Sequence, residues 1–191
     1  WQAFGNAYSP YTHTGSEDFI VGAYYGNGIS GRNFNLLPNS YDFITIKRRD
    51  NNGGVWKTTD MPSGESAVFT NGSFITEAVT GFGTNAFTLG NDSRVNSLNS
   101  LTWWFAFKEG DRFSLGTYSG TGVARSVTTL PYQSDLIWLK GYGNYYSLFK
   151  ASNLVGDATQ YFAGFPYDSG FSTNLLYTGL DVGTDNREKD N

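Results

Sequence analysis

The segment Gly26-Asn27-Gly28-Ile29-Ser30-Gly31 fits G-x-G-x-x-G, the spacing with which backbone N–H groups and a helix N-terminus cradle a pyrophosphate. That chemistry needs a strand before the first glycine and a helix opening at the last. The sequence that follows, Arg32 to Ser40, has three Asn, a proline and no apolar i, i+3, i+4 pattern, and so predicts no helix. We therefore expect a glycine turn here and no cofactor.

Other residues with chemical potential are scattered. The single histidine, His13, lies in the polar stretch Ser9 to Asp18 beside Ser16 and Glu17. A hydrolase would need a nucleophile and an orienting acid around it, and no G-x-S-x-G elbow occurs. Glycosidase chemistry needs two carboxyls across one cleft, whereas Glu17, Glu65, Glu77, Glu109 and Glu188 are dispersed and read as surface charges. No catalytic residue is expected, and the chain is read as not an enzyme. Asp92 and Asp185 stand 93 residues apart in oxygen-rich turns and are the only candidate metal ligands. The regular spacing of a calcium loop is missing, so a turn role is favoured and no metal is expected. Exposed rings are the remaining lead: Tyr142, Tyr145 and Tyr146 crowd one hairpin, and Trp103 precedes the apolar Trp104 to Phe107. Such rings serve as flat sugar platforms, with burial between sheets as the competing role, favoured for Trp56 and Trp104.

The elements that must position these residues follow from composition. The 191 residues include 24 glycines and 17% aromatics, with abundant Ser, Thr and Asn, which favours short strands and tight turns. With no cysteine, neither disulfides nor thiolate metal sites are available. A net charge of −4 and a pI near 4.9 argue against nucleic acid as partner, despite the local Lys47-Arg48-Arg49. The apolar run Trp103 to Phe107 is too short to cross a bilayer as a helix, and no membrane role is expected. A start at Trp1 rather than Met is read as a processed or partial product.

Self-similarity organises the chain. Gly22, Tyr24, Gly26 and Gly28 recur as Gly116, Tyr118, Gly120 and Gly122, while Gly31 falls opposite Arg125, so the shared unit is Tyr-x-Gly-x-Gly and not the phosphate fingerprint. From Pro38 to Arg94 the match continues at a constant offset of 93 residues: Asp42 to Lys47 onto Asp135 to Lys140, Trp56-Lys57 onto Phe149-Lys150, and Phe87 to Arg94 onto Leu180 to Arg187. Phe43 to Lys47 and Leu136 to Lys140 read as central strands covered on both faces. Asp50 to Gly54 and Gly141 to Asn144 read as the hairpin loops after them. The expected fold is an all-β sandwich of two diverged tandem copies of one antiparallel unit, residues 1–107 and 108–191. Trp104-Phe105-Ala106-Phe107 has its counterpart in Trp1-Gln2-Ala3-Phe4, so the second copy is expected to lack its closing strand. Trp1 to Phe4 is the candidate assembly strand, closing either on its own chain or on a neighbour.

The order Tyr-x-Gly-Asn-Gly, Pro before an apolar strand ending Ile-Lys-Arg, Trp56, Phe-x-Leu-Gly, Asn96 and Trp-x-Ala-Phe resembles a repeated β domain of virion structural and appendage proteins of tailed phages, especially aquatic ones. The second copy departs from it at Thr121, Phe149 and Gly141-Tyr142. The resemblance implies a non-enzymatic virion protein, a β-sandwich module of a fibre, appendage or capsid decoration acting in assembly or surface presentation. It implies a virion or extracellular location, with other virion proteins or further copies of itself as partners. Alternatives are a glycan-binding module of a phage or secreted bacterial adhesin, whose partner is a surface glycan, and a polysaccharide depolymerase fragment.

Overall fold

The computed structural model describes residues 18–35, 37–50, 53–128, 130–156, 158–162 and 175–184. The chain is all-β, as its composition predicts, with antiparallel sheets in a sandwich-like fold. It divides into two compact units. One comprises the described residues up to Val68 together with Ile75–Leu115, the other Phe69–Phe74 together with the described residues from Gly116 onward.

The first unit contains β1 (Phe19–Tyr25), β2 (Arg32–Phe34), β3 (Phe43–Arg48), β4 (Val55–Thr58), β5 (Glu65–Val68), β6 (Ile75–Thr76), β7 (Val79–Gly83), β8 (Ala86–Leu89), a helical turn α1 (Ser93–Asn96) and β9 (Leu101–Phe107). Six of the strands form a sheet in the order β1-β9-β3-β4-β5-β6, and β2-β8-β7 form a second. Period-two alternation assigns the faces of β9. Trp104 and Ala106 join the core between the sheets, and Trp103, Phe105 and Phe107 take the other face. Within that core Tyr24, Phe34, Phe87 and Trp104 form a chain of rings with centroids 4.7, 4.8 and 5.1 Å apart. Ile44, Ile46, Val55, Val79 and Leu89 around them are fully buried. On the outer face Phe43 meets Trp56, Phe105, Phe107 and Phe113 at 5.7 to 6.3 Å. β3 thus has apolar material on both sides, which accounts for its unbroken Phe-Ile-Thr-Ile run.

The second unit contains β10 (Arg125–Val127), β11 (Leu136–Leu139), β12 (Leu148–Ala151), β13 (Gln160–Tyr161), β14 (Leu175–Leu176) and β15 (Gly179–Val182), in sheets ordered β10-β15-β14 and β11-β12-β13. Its core gathers Val127, Ile137, Leu180 and Val182, with Tyr118, Leu130, Leu139 and Leu175 packed against them. Ladder registers in the two units differ by 93 throughout. Ile44 faces Lys57 and Ile137 faces Lys150, Val55 faces Val68 and Leu148 faces Tyr161, Phe34 faces Phe87 and Val127 faces Leu180.

One expectation about the strands is corrected. Leu136 to Lys140 was expected to be a covered central strand, yet among the described residues β11 ends its sheet. Leu136 is 56% exposed where Phe43, at the corresponding place in β3, is 4% exposed. In the first unit β9 pairs with β3 on the side away from β4 and sets Phe107 opposite Phe43.

Candidate functional site

The glycine segment is not a phosphate cradle, because its backbone donors are already engaged. Gly26 N–H donates to Ser100 O at 3.0 Å, Gly28 N–H to Asn96 O at 2.8 Å and Gly31 N–H to Leu89 O at 2.9 Å. Asn27 N–H donates to Asn96 Oδ1 at 2.9 Å and Ile29 N–H to Asn27 Oδ1 at 3.0 Å. A strand, β2, follows the segment in place of the helix that phosphate binding needs. Gly28 and Gly31 have φ of 71° and 78°, the left-handed region in which glycine carries no Cβ penalty. Asn96, in α1, holds this loop directly. Its fully buried side chain also donates Nδ2–H to Ile29 O at 2.9 Å and to Gly90 O at 2.8 Å. Its number in the sequence gives no hint of the role, since the partner loop is about 70 residues away.

Next to that loop the ends of three strands converge. Tyr25 closes β1, Leu101 opens β9 opposite it, and Arg48 closes β3. With Arg49, Asp50, Asn99 and Ser100 they line an open cleft of about 400 Å³. Arg48 is locked by Asp50, at 2.6 and 2.8 Å, and donates to Ser93 O. Lys47 Nζ is held by the carbonyls of Arg48 and Asp50. Arg49 is exposed, and its guanidinium has no partner among the described residues. Trp103 sits on the face of β9 that carries Leu101, between Ala23 on β1 and Lys47 on β3. It is 46% exposed and Tyr25 is 40% exposed. The two rings are diagonal neighbours on one sheet face, a separation long side chains can bridge. Sequence reasoning singled out Trp103 and missed Tyr25. The signal for Tyr25 was its place at the end of an alternating strand whose Tyr24 points inward.

The tyrosine hairpin divides. Tyr142 is largely exposed, with its ring 4.8 Å from Phe74. Tyr146 packs edge-on against Tyr161 at 5.3 Å, and Tyr145 forms a backbone bridge with Gly72. Only Tyr142 presents a ring as a sugar platform would. Trp56 and Trp104 are buried, as the packing reading expected. Asp92 caps α1: its carboxylate accepts from Arg94 N–H at 2.8 Å and pairs with the Arg94 guanidinium at 3.1 Å. These bonds give Asp92 the turn role expected of it, and no group of three or more metal-ligating side chains gathers among the described residues. Asp185, His13 and Trp1, Gln2, Ala3 and Phe4 lie outside the described residues.

Three lysines inside the units are held by carbonyls in place of acids. Lys57 donates to Pro62 O and Glu65 O, Lys140 to Gly72 O and Tyr145 O, and Lys150 to the carbonyls of Leu154, Gly156 and Ala158. Burial lowers the Lys140 ammonium to about 8. It also lowers Lys57, against the opposing charge of Glu65. The Tyr24 hydroxyl is pushed far up by burial, opposed by the Arg32 guanidinium over its ring, and it donates to Val95 O at 2.7 Å. Lysines chelated by loop carbonyls fasten turns. No family model, curated protein or solved structure matches the chain.

Proposed function

We propose that this chain is a non-enzymatic β-sandwich module of a phage virion, built from two diverged copies of one unit and acting in a fibre, appendage or capsid decoration. The observation that carries the reading is the shared ladder register at an offset of 93, since tandem sandwich units of one plan are how extended surface proteins are assembled. The sequence resemblance to phage appendage domains supports it, as do functional loops closed on themselves around Asn96. Two measurements test it. Mass spectrometry of purified particles should find the chain among the virion proteins, and sedimentation of the purified chain should show species larger than a monomer. A chain absent from particles and monomeric at high concentration would remove the proposal.

A second reading, glycan recognition, is favoured by Tyr25 and Arg49 lining the cleft and by the exposed Trp103, the diagonal neighbour of Tyr25 on the same sheet face. On a glycan array the chain should bind saccharides, and Trp103→Ala should lose at least tenfold in affinity with its melting temperature unchanged. Binding that survives Trp103→Ala would locate recognition elsewhere.

A further inference from the structure

We infer that the glycan taken by the cleft at the ends of β1, β3 and β9 is an acidic one, with a sugar carboxylate on the Arg49 guanidinium and the sugar ring against the Trp103 indole. The inference rests on the glycan reading above and names the class of saccharide.

The charge of the cleft carries it. The chain as a whole has a net charge of −4, yet the described residues lining the cleft include two arginines and a single acid, Asp50. That acid is already paired with Arg48 at 2.6 Å. Lys47 brings its ammonium to the same end of the sheet, where the carbonyls of Arg48 and Asp50 take two of its three N–H groups at 2.7 and 2.6 Å. Arg48 and Asp50 cancel, so the charges of Lys47 and Arg49 are left to make a positive patch on an acidic chain. Such a local field selects an anion. Arg49 is the charge best placed to meet a ligand, since its side chain is exposed while its main chain is fixed by the bond from its N–H to Leu101 O at 3.0 Å. A guanidinium presents a planar pair of N–H groups that matches the two oxygens of a carboxylate.

The rings set the kind of anion. Lys47 lies opposite Trp103 on β9, and Arg49, two residues further on, comes opposite Leu101. Alternation gives Lys47, Arg49, Leu101 and Trp103 to one face of the sheet, the face that also carries Tyr25 across from Leu101. Two residues of strand are about 7 Å, within the reach of an arginine side chain, so the guanidinium can hold a carboxylate at the edge of a sugar that lies on the indole. On β1 the neighbour of Trp103 is Ala23, too short to cover the indole, and Trp103 remains 46% exposed. An indole packs against the apolar face of a pyranose and keeps its polar edge in water. An inorganic anion would use the arginine and leave the ring idle, and a neutral sugar would do the reverse. An acidic sugar engages both.

The test is an array carrying uronate and sialate oligosaccharides, the same oligosaccharides with their carboxyls reduced to alcohols, and sulfated and neutral sugars. The chain should bind at least one carboxylated saccharide, with an affinity about tenfold higher than for its carboxyl-reduced counterpart, as one hydrogen-bonded contact to a charged group supplies. Arg49→Gln should bring the two affinities together with the melting temperature unchanged, while Trp103→Ala should weaken both alike. Arg49→Lys should recover part of the preference, because an ammonium keeps the charge and lacks the planar fork. Equal binding of the acidic and reduced forms by the unmodified chain, or a preference that survives Arg49→Gln, would overturn the acidic-sugar proposal and leave the glycan reading standing. Sulfated sugars bound more tightly than carboxylated ones would likewise defeat it. A chain that binds no saccharide on the array removes both.

Discussion

At the scale of single residues the chain spends its polar side chains on fastening loops. Asn96 satisfies one buried carbonyl and a part-buried N–H and carbonyl, so Asn96→Ala should cost about 2 kcal/mol, read by chemical denaturation of the first unit. The glycines it holds differ in kind. Gly28 has positive φ with room for a methyl, so Gly28→Ala should cost about 1 kcal/mol. Gly26→Ala should cost more, since its Cβ would lie 2.1 Å from Ser97 O. Neither NAD nor ATP should raise the melting temperature, because the donors they would use are taken. Lys140 gives a pH dependence. Its folded value of about 8 lies below the ordinary 10.5, so between these values the unfolded chain holds a proton the folded chain has released. Stability then rises with pH across that window. Melting temperature should increase from pH 7.5 to 9.5, and Lys140→Met should flatten most of that rise, leaving the part that Lys57 contributes in the same direction.

At the scale of elements, burial decides what substitutions cost. Ile44 in β3 is fully buried with rings on the reverse face of its strand, whereas Ile137 in β11 belongs, among the described residues, to a smaller cluster on a strand whose Leu136 is exposed. Ile44→Ala should therefore cost about 4 kcal/mol and Ile137→Ala about 2, within the range for large-to-small core changes. Equal losses near half a kcal/mol would mean neither strand is core. Much of this was legible in the sequence. The alternation of β9, the continuous run of β3 and the paired glycine turns follow from local periodicity, and the constant offset of 93 anticipates both ladders. What could not be read depends on distant partners. The clamp of Asn96 on a loop about 70 residues earlier is one case, and the exposure of Leu136 in β11, whose sequence is as apolar as that of β3, is another. The carbonyl-held lysines left a trace that is clear in hindsight: Lys57 and Lys150 each stand inside an apolar strand, where a charged side chain needs a built partner.

At the scale of the whole molecule, the two units differ in how much apolar surface they close. Among the described residues the first core joins sixteen buried side chains, five of them aromatic, and the second joins four. With each fully buried large apolar side chain contributing about 1.5–3 kcal/mol, the second unit should unfold first. Calorimetry of the full chain should resolve two transitions. Ile137→Ala should move only the lower one and Ile44→Ala only the upper, since the two residues belong to separate cores.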